Sequence, residues 1–150
     1  MKKLALLFIL VCASIYTMAQ FKDPVKWDFT SVKKSDKVYE ITFTANIDKS
    51  WHIYSQNTPK GGPRPTKIVF KANPLATITG LAKETGTLKK KHEEVFGVDV
   101  NYYDSKVVFT QTVTLKSAVK TSVAGTVDFM VCNDSECLPP KKVSFDLELQ

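Results

Sequence analysis

The chain has 150 residues, 43% hydrophobic and 24% charged, with a formal net charge of +6. This length suits one domain, whose core can form without cross-links. The basic residues are scattered, with Lys89-Lys90-Lys91 the only run, so no nucleic-acid partner is expected: that role needs a clustered basic face interleaved with aromatics.

The chain opens with MKKLALLFILVCASIYTMAQ, which has two lysines, an apolar run from Leu4 to Val11 and a small residue at Ala19. This layout predicts a signal peptide over residues 1–19 and an exported domain over residues 20–150. The run is punctuated by Ser14 and Thr17 and falls short of the roughly 20 apolar residues of a spanning helix. Lipid attachment at Cys12 is disfavoured by bulky Val11 before it, and Cys12 stands outside the folded domain in either case. Removal of residues 1–19 takes Lys2 and Lys3 and no acidic residue, so +6 becomes +4.

Short strands follow. VKWDFT comes first, and then Tyr39, Ile41, Phe43, Ala45 and Ile47 alternate with Glu40, Thr42, Thr44 and Asn46, the pattern of a half-buried strand. WHIY, TKIVF and ATITGL are shorter candidates. Residues 87–103, TLKKKHEEVFGVDVNYY, predict a strand pair with a protruding tip, a place where a rigid scaffold carries function. The period of two returns in Val107, Phe109, Gln111, Val113 and Leu115, in Val127, Phe129 and Val131, and in Val143, Phe145, Leu147 and Leu149. Gly61-Gly62-Pro63-Arg64-Pro65, Asn73-Pro74, Gly86 and Gly125 are taken as turn signals between these runs. About eight short strands without a long helix predict an all-β, immunoglobulin-like antiparallel sandwich of one domain.

Between the last two strands lies VCNDSECLPP, with Cys132 and Cys137 followed by Pro139 and Pro140. A disulfide here closes a loop of about six residues. Such a loop stabilises by roughly 2 kcal/mol, against about 4.7 for a 100-residue loop, so as a staple it is poorly placed. An immunoglobulin-type bridge would join strands distant in sequence, and neither cysteine has such a partner. Asp134 and Glu136 disfavour a thiolate, which suits a pair that works under the control of a partner. The prolines fix the exit from the loop and remove two backbone donors. Taken alone, these residues fit either a redox pair or a local clasp.

The motif CxxxxCLPP resembles the N-terminal periplasmic domain of the thiol:disulfide interchange protein DsbD, also described as the disulfide bond corrector domain. The early Trp of VKWDF, WHIY with its Gly-Pro-rich sequel, HEEVFG and VVFTQTV extend the likeness over most of residues 20–150. The resemblance implies a module that takes electrons from a membrane-embedded thiol relay and passes them to periplasmic thioredoxin-like proteins. It implies that Cys137 forms the mixed disulfide with partners and that Cys132 resolves it.

The family's cap, an acidic-Phe-Tyr-Gly loop over the disulfide, is matched by Glu94-Val95-Phe96-Gly97, preceded by Glu93. Val95 replaces the shielding Phe, so shielding falls to Phe96 or weakens. The family's two tyrosines beside the cysteines correspond to His52 and Tyr54, and its cysteine spacing is commonly one residue longer. A covered disulfide is protected because exchange needs in-line access to sulfur, and His52 can hold or shuttle a proton near neutral pH. On composition alone His52 suits a half-exposed strand surface, Tyr54 a core or rim position, and Glu93 and Glu94 solvated charges.

The chain shows neither a transmembrane relay nor a thioredoxin-like Cys-x-x-Cys, so its electrons are expected to come from a separate protein. A monomer is expected, with no cofactor beyond the redox-active disulfide and no resident metal. Two other readings are a Cu(I)-binding module, with Met130, Cys132, Cys137 and His52 as soft ligands of the reduced pair, and an interaction sandwich whose local disulfide is purely structural.

Overall fold

The computed structural model describes residues 22–150; the expected signal peptide, Cys12 and the boundary near Ala19 lie outside them. The described residues form twelve strands and no helix: β1 Val25–Lys33, β2 Val38–Ile47, β3 His52–Tyr54, β4 Lys67–Phe70, β5 Ala76–Ile78, β6 Lys83–Gly86, β7 Lys89–Glu93, β8 Val98–Tyr103, β9 Lys106–Leu115, β10 Thr121–Phe129, β11 Val131–Cys132 and β12 Lys141–Leu149. The strands that no apolar run announced are β6 and the separate pair Val131–Cys132.

Alternating burial organises the longest strands. Along β2, Tyr39, Ile41, Phe43, Ala45 and Ile47 are buried while Glu40, Thr42 and Thr44 are half-buried and Asn46 is exposed. Along β9 the buried set is Val107, Phe109, Gln111, Val113 and Leu115. Gln111 belongs to the inward face because its amide donates to the Thr79 carbonyl at 3.1 Å, satisfying a buried polar group.

All strand pairings are antiparallel. One sheet runs β1-β2-β9, with β5 and β6 both paired to the far side of β9. A second runs β12-β10-β4 and a third β11-β3-β8-β7. The first two pack their aromatics together: Phe43 to Phe145 with ring centroids 4.9 Å apart, Trp27 to Phe129 at 5.3 Å and Phe43 to Phe70 at 6.0 Å. This is the immunoglobulin-like antiparallel sandwich.

Gly125 is not at a turn, as its sequence context suggested, but inside β10. A Cβ there would lie 2.1 Å from the Val69 carbonyl oxygen and 2.7 Å from the Phe145 ring, so the close approach of β4 and the Phe145 ring excludes a side chain.

The third sheet is two-faced. Ile53, Tyr103 and Val131 join the main core, while Tyr54, Val100 and Cys132 form a second cluster, with Val98, Tyr102 and Met130 packed around it. Glu84 of β6 ties this sheet to the sandwich. Its carboxylate accepts from the Ser55 hydroxyl at 2.7 Å, the Gln56 amide at 2.6 Å and the Tyr103 hydroxyl at 2.8 Å.

Candidate functional site

The cysteines are positioned by a strand that changes sheets. β10 pairs with β12 as far as Phe129 opposite Lys141, the ladder breaks at Met130, and Val131–Cys132 then pair with Ile53 and His52 of β3. The expected uninterrupted strand is therefore two. Cys132 and Cys137 form a disulfide with Cα atoms 4.0 Å apart. Cys132 is 0% exposed, whereas Cys137 is exposed at the surface.

The connecting loop holds its own shape. The Asn133 side-chain oxygen accepts from the amides of Ser135 and Glu136, both at 2.8 Å. The Asn133 amide donates to the Glu136 carbonyl and the Leu138 amide to the Val131 carbonyl, both at 2.9 Å. These bonds satisfy the amides of Asn133, Ser135, Glu136 and Leu138 close to the loop itself.

Beside Cys132 runs a line of polar groups. His52 lies opposite Cys132 in the ladder and is 4% exposed, which overturns the half-exposed surface position that composition favoured. Its Nε2 is 3.2 Å from the Tyr54 hydroxyl, which donates to Glu93 Oε2 at 3.2 Å; Lys91 Nζ lies 3.1 Å from the same carboxylate oxygen. The His52 ring also packs 5.0 Å from Tyr102, over which Lys91 Nζ sits at 5.5 Å. Burial, aided by the Lys91 charge, lowers the His52 pKa to about 4, so the ring is neutral at pH 7. Burial and the neighbouring Glu93 carboxylate push Tyr54 above its ordinary value, which keeps its proton in place.

The β7–β8 hairpin brings the cap over this floor. Glu93 pairs with Val98, and the Glu93 carbonyl accepts from the Phe96 amide at 3.0 Å and the Gly97 amide at 2.8 Å. Gly97 closes the turn with φ of 64°, a conformation glycine adopts without strain. A cleft of about 280 Å³ separates cap from cysteine loop, lined by Glu93, Val95 and Phe96 on one side and by Asn133 to Cys137 on the other. Cys137 thus faces an open cleft, whereas Cys132 is fully buried.

The sequence pattern of the family described as "Thiol:disulfide interchange protein DsbD, N-terminal" matches residues 20–149. The chain belongs to the DsbD N-terminal family. Family and disulfide together support a thiol–disulfide interchange module. Among solved structures, the N-terminal periplasmic domain of ScsB from Proteus mirabilis is similar at 18% identity and a TM-score of 0.59, over 87% of this chain and 48% of that one. This chain thus spans about half the length of that relative. The reduced DsbD N-terminal domain of Neisseria meningitidis matches at 18% identity and a TM-score of 0.44, over 79% of this chain and 82% of that one. A structure of the complex between the DsbD and PilB N-terminal domains of the same organism matches at 14% identity and a TM-score of 0.48, over 85% and 87%. No curated protein matches in sequence.

In this DsbD N-terminal domain the residues singled out from sequence divide into three groups. Cys132, Cys137, His52, Tyr54 and Glu93 are gathered by hydrogen bonds and strand register. Val95 and Phe96 line the cleft, with Val95 84% exposed and Phe96 half-buried, which makes Phe96 the inward side chain of the cap. Glu94, Gly97, Pro139 and Pro140 are exposed and are not among the cleft residues; Pro140 instead lines a separate hollow with Arg64 and Phe129.

The soft ligands considered for Cu(I) lie together only in part. Met130, Cys132 and His52 are neighbours, but the sulfurs of the pair are bonded to each other, and the described residues hold no cluster of three or more His, Cys, Asp or Glu arranged for a metal ion. Lys91, Tyr102 and Asn133 were missed. The alternation of Val98, Val100 and Tyr102 carried a signal for Tyr102, and Asn133 two residues before Ser135 carried one for the loop turn. Lys91 had none, because its partners come from across the hairpin and along its own strand.

Proposed function

We propose that this domain is an exported, periplasmic electron relay that cycles Cys132 and Cys137 between disulfide and dithiol. Electrons come from a membrane-embedded thiol relay and go to periplasmic thioredoxin-like proteins. The observation that carries the reading is the asymmetry of the pair, one sulfur exposed in a capped cleft and the other fully buried.

In the loading step a donor thiolate attacks Cys137 Sγ, a mixed disulfide forms, and the electron pair of the broken bond stays on Cys132 Sγ. A second donor thiol then displaces Cys137, leaving a dithiol in the domain and a disulfide in the donor. In the delivery step the Cys137 thiolate attacks an acceptor disulfide, and Cys132 attacks Cys137 Sγ to release the reduced acceptor. Two electrons move in each step and the domain returns to its starting state.

Equilibration with thiol redox buffers tests this reading. A working pair is expected near about −200 to −250 mV, and a value well below about −300 mV would mark a structural clasp. Titration of the reduced protein with Cu(I) separates the metal-binding alternative: stoichiometric tight uptake abolished by Cys137→Ser would favour it.

A further inference from the structure

We propose that His52 donates a hydrogen bond to the leaving Cys132 sulfur, and that the cap controls when His52 can do so. The inference rests on the relay reading above. It starts from counting protons. The Tyr54 hydroxyl has a single proton, and with the cap closed that proton goes to Glu93 Oε2. A carboxylate donates nothing in return. The 3.2 Å contact between Tyr54 and His52 Nε2 is then a bond only if Nε2 carries the ring proton. Because the ring is neutral, Nδ1 is left with a lone pair.

His52 and Cys132 are direct opposites on neighbouring antiparallel strands. Their side chains leave the same face of the sheet, with Cβ atoms roughly 4.5–5.5 Å apart. A lone pair on that ring gives a developing thiolate no stabilisation, and the nearby Lys91 ammonium is engaged 3.1 Å from Glu93 Oε2. The cap in this position therefore withholds stabilisation from the leaving sulfur although Cys137 already faces the cleft.

A docking partner that lifts the β7–β8 hairpin takes Glu93 away from Tyr54. The hydroxyl proton then turns to the one acceptor left beside it, His52 Nε2, and the ring proton exchanges through solvent to Nδ1. The protonation count is unchanged. The incoming thiolate forms its bond to Cys137 Sγ, the Cys132–Cys137 bond breaks, and Cys132 Sγ keeps the electron pair and accepts a hydrogen bond from Nδ1–H. Opening the cap thus prepares the buried sulfur to leave while the exposed one takes the attack.

Ring ¹⁵N chemical shifts of His52 in the oxidised protein test the coupling directly. The wild type is expected to show the Nε2–H tautomer and Glu93→Ala a majority of Nδ1–H. In the Glu93→Ala background, His52→Phe should slow reduction by dithiothreitol about tenfold, the weight of one charge-assisted hydrogen bond, while His52→Gln, which both donates and accepts, stays within about threefold. An Nδ1–H wild type, a tautomer indifferent to Glu93→Ala, or equal slowing by Phe and Gln overturns the proposal. A relay-range potential with an indifferent tautomer sinks this proposal alone; a clasp-range potential with a responsive tautomer upholds the coupling and removes only the relay.

Discussion

The two apolar clusters of this domain sit on opposite faces of the same short strand and obey different rules. Ile53 of β3 points into the large core, where seven aromatic side chains, Trp27, Phe29, Phe43, Phe70, Phe109, Phe129 and Phe145, touch one another. Its neighbours His52 and Tyr54 belong to the small cluster around Cys132. The large core is specified by volume, and its one unpartnered buried polar side-chain atom among the described residues is Trp27 Nε1. The small cluster is specified by the direction of hydrogen bonds. A three-residue strand can serve both because successive side chains leave it on opposite sides.

The contrast breaks most visibly in the large core. Phe43→Ala should cost about 3–5 kcal/mol, read as a lower urea midpoint, because Phe43 is fully buried against Phe29, Phe70 and Phe145. A loss under about 1 kcal/mol would mean that the two sheets are less tightly packed than their ring contacts imply. In the small cluster, replacing Cys132 and Cys137 together by Ser should cost about 2 kcal/mol, since the loop they close is short, yet abolish all thiol–disulfide exchange. A much larger stability loss would return the pair to the role of a staple.

Acid sharpens the comparison further. His52 has a pKa of about 4 in the folded protein against 6.5 for a free imidazole, so below 6.5 the unfolded chain takes up a proton that the folded one refuses. This contribution to stability is fully present above pH 6.5 and is lost as the pH falls toward about 4. Between about pH 7 and 5.5 the thermal midpoint should decline in the wild type and decline less in His52→Gln, whose side chain does not titrate there. Identical slopes would place the titrating group elsewhere. The smallest effect is expected at Val95, 84% exposed on the cap: Val95→Ser should change stability by no more than about 0.5 kcal/mol while altering the rate of exchange with protein partners.

The same contrast explains what could be seen in the sequence. Volume-driven strands announce themselves, and β2, β9, β12 and the second half of β10 were legible because alternate side chains meet one continuous core. In the Lys67–Tyr103 region β4, β5 and the β7–β8 pair were legible and β6 was not, because Lys83–Gly86 is too short and too polar for a period to show. Gly125 misled because a glycine that admits a close backbone looks, in sequence, like one that makes a turn. At the site, the cysteine pair was legible from spacing and the cap from its likeness to a family motif. The burial of His52 was not, since it depends on which strand lies beside β3, and that strand exists only because β10 breaks at Met130.

The Asn133 side chain that gathers the cysteine loop sets a timescale. Its hydrogen bonds to Ser135 and Glu136 do not involve sulfur, so the loop geometry has a support that survives reduction. Two thiols held this way face each other at a high effective molarity. In the proposed cycle a mixed disulfide at Cys137 would then be attacked by Cys132 almost as soon as it forms. Adducts with partners should accordingly be fleeting in the native protein and accumulate in Cys132→Ser. Replacing Asn133 with Ala should lengthen their lifetime without touching either sulfur, making a side chain that holds no electrons the clock of the transfer.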